Sequence, residues 1–367
     1  MADHALTYRP TRAEIDLTAL RHNAQLARQL AAGQALLAVI KANAYGHGSA
    51  AVAAALEPYV DALAVAFIDE ALQLRQAGCR LPIVLLEGCF SGAELPLCEA
   101  YNLQPVLHNQ HQLEQLLASP LQTPLKVWLK VDSGMHRLGF SSVEIAAVSQ
   151  RLAAAKQVAE VTLMTHFANA EQAEHPLNNR QLAEFEPLTR SANHLSLANS
   201  AALLQPFGSL QQPDQRRWCR AGIMLYGIDP GLPGGTAALK PVMRLVAPVI
   251  GLRQVKQGDA VGYGSRWCAP RDSVIATVAI GYADGYPRHA PSGTPVWVAE
   301  QRLPLVGTVS MDMITIDATA YPQLKLGDEV ELWGARLPVN EVAQWAGTIG
   351  YELVTRVGAR VPRSYQG

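Results

Sequence analysis

Residues 35–48 read ALLAVIKANAYGHG, a β-prone apolar run stopped by a lysine and followed by small residues, a tyrosine and two glycines. The same texture recurs every 20 to 35 residues in ALAVAF (62–67), PIVLLE (82–87), LQPVLH (103–108), KVWLKVD (126–132), VTLMTH (161–166), HLSLAN (194–199) and RWCRAGIMLYG (217–227). Between these runs, Ala/Leu/Gln-rich stretches such as 17–32 and 68–77 keep a helical period. Strands that rejoin their neighbours in parallel need a crossover, and helices supply it. Eight such units predict an α/β fold closed as a (β/α)8 TIM-type barrel over residues 12–230.

The texture changes after GIDPGLPGG (227–235), where strands and turns follow without helical period, as in PVMRLVAPVIGLRQV, DSVIATVAIGY and GDEVELWG. Residues 236–367 are therefore expected to form a C-terminal, mainly β domain, with residues 1–11 packing against it. A chain of 367 residues suits two such cores.

Most of the apolar runs end on or beside a polar residue: Lys41, Asp69, Glu87, His108, Asp132, His166 and Asn199. Strand C-termini form the catalytic face of a barrel of this kind, so these residues mark a candidate site. Lys41 stands at the rim of a pocket walled by small residues, and a lysine withdrawn from water can shed its proton and condense with an aldehyde.

The composition excludes several partners. Lys and Arg number 30 against 31 Asp and Glu, a formal net charge of −1, with no block of like charge to draw nucleic acid or an anionic membrane. The N-terminus lacks a basic start before an apolar run, and no uncharged apolar stretch approaches the roughly eighteen residues of a membrane span, so a cytoplasmic protein is expected. The five cysteines show neither CxxC pairing nor metal-ligand spacing, and read as reduced thiols with no metal bound.

AVIKANAYGHG (38–48) resembles the cofactor-lysine motif of alanine racemases. Stretches similar to that family follow in order: LKVDSGMHRLGF (129–140), THFANA (165–170), LANSA (197–201), RAGIMLYG (220–227), IGYADGYPR (280–288), GTVSMDM (307–313) and GYELVTRVGARVPR (350–363). The resemblance implies a barrel plus C-terminal β domain, pyridoxal 5'-phosphate as cofactor, and interconversion of L- and D-alanine, for peptidoglycan supply or alanine catabolism. By resemblance Lys41 holds the cofactor as a Schiff base and moves the α-proton on the D face. A fixed side chain does not easily reach both faces of a planar carbanion, so a second base is needed, and the family places it at Tyr282 on the L face.

A free phenol ionises only near pH ~10, and the resemblance assigns His166 and Arg220 to a hydrogen-bonded chain that helps Tyr282. Arg220 is also implied to face the cofactor's ring nitrogen. An arginine does not accept a proton, so the ring stays a weaker electron sink. Proline usually follows this arginine in the family, whereas Ala221 follows it here. Tyr45, Ser200, Tyr351 and the amides of Gly222 and Ile223 are implied to hold the phosphate, and Arg137, the backbone of Met311 and Asp312 to meet the substrate. Lys130 matches a lysine that many members carry carbamylated. A homodimer whose sites draw on both subunits is implied as well.

Three other readings share parts of this pattern. A barrel-fold amino-acid decarboxylase would need a carboxylate where Arg220 stands and a cysteine near the C-terminal end, whereas the last cysteine is Cys268. A single-barrel cofactor carrier would lack the segment that contains Tyr282 and Met311. A racemase acting on serine or on several amino acids differs only in its pocket.

Overall fold

The computed structural model describes residues 8–206, 215–236 and 238–367, with Ser191 described by its backbone alone. The first strand, β1 (Arg12–Asp16), is followed by β2 (Ala35–Val39), β3 (Ala62–Val65), β4 (Ile83–Leu85), β5 (Leu103–Leu107), β6 (Leu125–Lys130), β7 (Val158–Met164), β8 (His194–Ser196) and β9 (Arg216–Ala221). Strands β2 to β9 pair in sequence order, all parallel, and β2 pairs back onto β9 to close the barrel. These are the eight expected runs. β3, β4 and β5 are buried at every position, as strands covered on both faces must be, which is why they read as continuous apolar runs rather than as alternation.

Helices α1 (Leu17–Leu30), α3 (Ser49–Leu56), α4 (Ile68–Gln76), α5 (Leu95–Ala100), α6 (Gln110–Ala118), α7 (Ser142–Ala153), α8 (Pro176–Phe185) and α9 (Ser200–Leu204) alternate with the barrel strands; α2 (Lys41–Tyr45) is a turn of opposite hand treated below. Several start where the sequence offers an amide acceptor. Asn109 Oδ1 takes the Gln112 amide at 2.9 Å, and Asn199 Oδ1 takes that of Ala202 at 3.1 Å. Because all eight strands run the same way, their C-terminal residues gather at one end of the barrel.

The chain divides into two compact units, one of Leu20–Ala44 with the described part of Ser49–Leu239, the other of the described residues up to Ala19, Tyr45–Gly48 and Lys240–Gly367. The expected start of the barrel at residue 12 therefore needs correction. β1 pairs antiparallel with β10 (Met243–Val255), far away in sequence, and parallel with β18 (Arg363–Gln366). Of residues 1–11, expected to join the β domain, residues 1–7 lie outside the described residues; Arg9 and Thr11 donate to the Ala279 carbonyl of that unit.

In this second unit β11 (Ala260–Val261) and β12 (Trp267–Cys268) form a small hairpin, while β13 (Ser273–Val278), β14 (Pro295–Val298), β15 (Gln301–Pro304), β16 (Ile314–Asp317) and β17 (Glu329–Trp333) join β1, β10 and β18 in one sheet. β10 is long enough to serve two sets of neighbours: β1 and β17 along its first half, β13 along its second, with register shifts between. Two short helices, α10 (Val339–Trp345) and α11 (Gly350–Thr355), interrupt the expected all-strand texture. At seven and six residues, neither is long enough to write a helical period into the sequence.

Candidate active site

Ile40 carries the barrel ladder one residue past β2, its amide donating to the Ala64 carbonyl at 2.8 Å, and Lys41 follows. Ala42, Asn43, Ala44 and Tyr45 then all adopt φ between 52° and 54°, a left-handed turn closed by the Ala44 amide on the Ile40 carbonyl at 2.9 Å. Each such non-glycine residue costs about 1–2 kcal/mol, so a run of four persists only because its surroundings fix it. Asn43 Oδ1 accepts the Ser49 amide at 2.9 Å, and Glu70 Oε1 accepts the Ala42 amide at 2.6 Å. Gly46, at φ +81°, ends the run where a Cβ would lie 2.1 Å from the Val354 carbonyl oxygen, so a larger residue is excluded there.

Arg220, near the end of β9, is buried. Its Nη1 donates to Ser196 Oγ at 2.7 Å, and its Nη2 to the carbonyls of Thr165 (2.7 Å) and Leu197 (3.0 Å) and to His166 Nδ1 (3.2 Å). Burial lowers the Arg220 guanidinium to about 10, which leaves it charged at neutral pH. Burial also holds His166 well below its ordinary range, with Arg220, Arg137, Lys130 and Lys41 adding to the effect. His166 is thus a neutral imidazole that accepts at Nδ1 and keeps its proton on Nε2.

Lys130, the last residue of β6, lies in the same field. Burial, then Arg137 and Arg220, lower its ammonium to about 8, with Lys41 acting in the same sense and Glu87 against it. Arg137 reaches this neighbourhood on a loop that Asp132 shapes by accepting the amides of Gly134 and His136, each at 3.0 Å. Gly139 closes the loop, its missing Cβ position 2.5 Å from the Asp132 amide nitrogen. The structure therefore brings together Lys41, Lys130, Arg137, His166 and Arg220. Four cations around one neutral imidazole form a site for an anionic ligand.

On the same barrel unit Ser200 Oγ accepts the amides of Gly222 (2.8 Å) and Met224 (3.4 Å), so the turn that contains Ile223 aims backbone N–H groups at an oxygen. Such convergence is what a phosphate needs. In the second unit Tyr45 and Tyr351 approach with ring centroids 6.3 Å apart. Burial pushes the Tyr45 phenol up to about 12, so it stays a hydrogen-bond donor.

The second unit also joins the Tyr282 and Met311 segments. The Tyr282 amide donates to the Ser310 carbonyl and the Ala283 amide to that of Met311, each at 3.0 Å. A Cβ on Gly281 would lie 2.3 Å from the Met311 carbonyl oxygen, so only glycine permits this approach. The side chains of Tyr282 and Met311 are exposed.

Four supporting residues escaped sequence reasoning. Gln181, fully buried on α8, donates to the His166 carbonyl at 2.9 Å and accepts the Ala168 amide at 3.0 Å, fixing the backbone on both sides of Phe167. Asp284, buried, accepts from both Arg9 guanidinium nitrogens (2.5 and 2.7 Å) and from the Gly281 amide (3.0 Å). Arg360 lies 3.6 Å from Asp284 and donates to Asp312 at 2.6 Å, tying the Tyr282 turn to the Met311 turn. Asp284 was visible inside the GYADG stretch, but nothing local marks Arg9, Gln181 or Arg360.

A closed parallel barrel that presents a lysine beside a buried Arg–His pair, followed by a β unit that displays a tyrosine on a glycine-enabled turn, defines a two-unit barrel protein with an amine-bearing site for an anion. The family model "Alanine racemase, N-terminal domain" matches residues 15–230 and "Alanine racemase, C-terminal domain" residues 242–365. The chain belongs to the alanine racemase family. It is 49% identical to "Alanine racemase" of Stutzerimonas stutzeri, over 98% of this chain and 100% of that one. It is 48% identical to "Alanine racemase, catabolic" of Pseudomonas putida, over 98% and 99%. The crystal structure of biosynthetic alanine racemase from Pseudomonas aeruginosa superposes with a TM-score of 0.92 at 47% identity, covering 98% of this chain and 100% of that one.

Proposed function

We propose that the chain interconverts L- and D-alanine with pyridoxal 5'-phosphate as cofactor, Lys41 and Tyr282 serving as its two bases. The observation that carries this reading is the cluster of Lys41, Lys130, Arg137 and Arg220 around neutral His166. Its donor set fits the cofactor: an amine for the aldehyde, positive charge for the phenolic oxygen and the substrate carboxylate, and amides converging beside Ser200 for the phosphate. When bound, the cofactor supplies the aldehyde that captures the substrate's amino group and a conjugated ring that draws electrons from the α-carbon.

Lys41 Nζ takes or returns the proton on the D face. Tyr282 Oη does so on the L face, from a second copy of the chain in a homodimer with shared sites; the exposure of Tyr282 and Met311 on a single chain supports that arrangement. His166 and Arg220 polarise the path to Tyr282, and Arg220, which only donates hydrogen bonds, would not hold a proton on a ring nitrogen bound against it. Ser200, Gly222 and Ile223, with Tyr45 and Tyr351, donate to the phosphate. Arg137, the backbone of Met311 and Asp312 receive the substrate. Lys130, lowered to about 8, is uncharged in about one molecule in ten at pH 7, the form that adds carbon dioxide to become a carbamate.

Among the described residues no helix is long and apolar enough to cross a membrane. We place the reaction in the cytoplasm, where thiols held 3.6 Å apart and unbonded, as at Cys89 and Cys98, stay reduced.

The test is to incubate purified protein and pyridoxal phosphate with L-alanine, L-serine or L-ornithine and to follow the D-enantiomers by chiral chromatography. D-Alanine forming fastest is expected. Carbon dioxide released from ornithine would reassign the site to decarboxylation, and faster D-serine would reassign the substrate.

A further inference from the structure

The N-terminal turn of α4 contains a carboxylate with more work than helix capping requires. Glu70 is the third residue of α4, and its Oε2 accepts the amides of Ala66 at 2.8 Å and Phe67 at 3.4 Å, which completes the ordinary role of a glutamate at that position. Its Oε1 is turned the other way and accepts the amide of Ala42, 28 residues distant, at 2.6 Å. Ala42 is the residue after Lys41 and the first of the four left-handed residues. A single carboxylate thus joins the end of β3 to the end of β2 at the point where the chain leaves Lys41.

The peptide between Lys41 and Ala42 is planar, so fixing the Ala42 N–H fixes the orientation of the Lys41 carbonyl and with it the direction in which the Lys41 side chain departs. The left-handed turn cannot hold that orientation unaided, because each of its non-glycine residues favours the right-handed region. The Glu70 carboxylate on the first amide, the Ala44 amide on the Ile40 carbonyl, Asn43 on the Ser49 amide and the His47 ring on the Tyr45 carbonyl are among its ties. Of these, only Glu70 comes from another strand–helix unit of the barrel.

We propose that Glu70 is a positioning residue for Lys41, aiming its amine at the reacting carbon by holding the Ala42 amide. This rests on the reading of Lys41 as the cofactor lysine. Glu70→Asp separates the two jobs of the carboxylate: an aspartate at the same position still serves the helix start but, one methylene shorter, falls away from Ala42. Glu70→Ala removes both.

The experiment compares wild type, Glu70→Asp and Glu70→Ala as holoenzymes. It reads amide hydrogen exchange of the 41–45 turn and of α4, kcat and KM for alanine, and the peptide labelled when borohydride fixes the cofactor to its lysine. In both variants exchange at Ala42 should rise about tenfold or more. kcat should fall about ten- to a hundredfold with KM within about twofold, as expected when a reacting group is misaimed rather than lost. In Glu70→Asp the α4 amides should keep wild-type protection. Wild-type exchange at Ala42 together with wild-type kcat in Glu70→Asp overturns the proposal, as does loss of α4 protection in step with that of Ala42. Label found away from Lys41 in the wild type would instead refute the assignment of Lys41, and the Ala42 exchange data would still report whether Glu70 holds the turn.

Discussion

The barrel unit and the β unit hold the two proposed bases, Lys41 and Tyr282, in place by different means. In the barrel the strand ends do it. Lys41, Lys130, His166 and Arg220 stand at or just beyond the C-termini of β2, β6, β7 and β9, and each strand is locked by parallel neighbours on both sides. In the β unit a turn does it. Tyr282 sits on a short 3-10 segment, Tyr282–Asp284, held from within by Gly281 and Asp284 and from outside by Arg9 and Arg360. Strand ends concentrate positive charge in a buried place, and burial together with that charge lowers the proton affinity of His166 and Lys130. Turns leave the tyrosine exposed and stiffen it through one buried carboxylate.

The sharpest break of this comparison is removal of the barrel's amine. Lys41→Ala should lower racemisation by about 10⁴-fold or more and abolish the absorbance of lysine-bound cofactor. Residual turnover within a hundredfold of wild type would leave the barrel half without its central residue.

Tyr282→Phe tests the other half. It should lower racemisation by about 10²–10⁴-fold while the bound-cofactor spectrum persists. In deuterated water, D-alanine should still exchange its α-hydrogen through Lys41, whereas exchange of L-alanine should fall with racemisation. Equal loss of exchange for both enantiomers would show that the two faces are not served separately.

Lys130→Ala separates charge from position within the barrel. Wild type supplied with ¹³C-bicarbonate should show a carbamate resonance that the variant lacks, and the variant should lose about tenfold or more in kcat/KM as Arg137 loses an anionic partner. A wild type without the resonance, yet with full activity, would leave Lys130 acting as a plain amine.

How much of this was legible differs between the halves for a physical reason. A barrel strand announces its end, because an apolar run must stop where a polar group begins, so Lys41 and His166 could be named from ALLAVIK and VTLMTH alone, whereas Lys130 and Arg220 stood out only through family resemblance. Gln181 could not: it looks like one more polar residue of an Ala/Leu/Gln-rich helix, and only the fold brings it under His166. The barrel expected from the sequence begins at residue 12, which takes in β1, although the eight runs start at β2; the partners of β1, β10 and β18, lie more than two hundred residues away, where no local pattern points. In the β unit Tyr282 and Met311 stood out only through family resemblance, since a tyrosine and a methionine near strand ends look like packing.

The carboxylate that stiffens the Tyr282 turn should matter more for stability than any single surface ion pair. Burial alone would raise Asp284, but Arg9 and the Gly281 amide bring it below the usual carboxylate range. Asp284→Ala leaves Arg9 without its partner and the Gly281 amide without its acceptor, and should cost about 2–3 kcal/mol of unfolding free energy, less than a fully enclosed pair because Arg9 is partly exposed. Denaturant titration measures it. A loss below about 0.5 kcal/mol would place Asp284 with ordinary surface pairs.

The smallest effect concerns pH and separates the halves once more. His166 is held well below its ordinary range in the folded barrel, whereas the unfolded chain takes up its proton near pH ~6.5. Below that pH the unfolded state binds the extra proton, so stability falls as pH falls, by up to about 1.4 kcal/mol per pH unit for this one group. Asp284, lowered rather than raised, contributes stability that persists until the pH drops below the ordinary carboxylate range. His166→Asn removes the first dependence and leaves the second. As pH falls below about 6.5 the wild-type apoprotein should therefore lose stability more steeply than the variant, by up to about 1.4 kcal/mol per pH unit. Parallel curves across the whole range would mean that His166 takes up its proton as freely in the folded barrel as in the unfolded chain, and the enclosure by Arg220, Arg137, Lys130 and Lys41 would then be looser than the geometry shows.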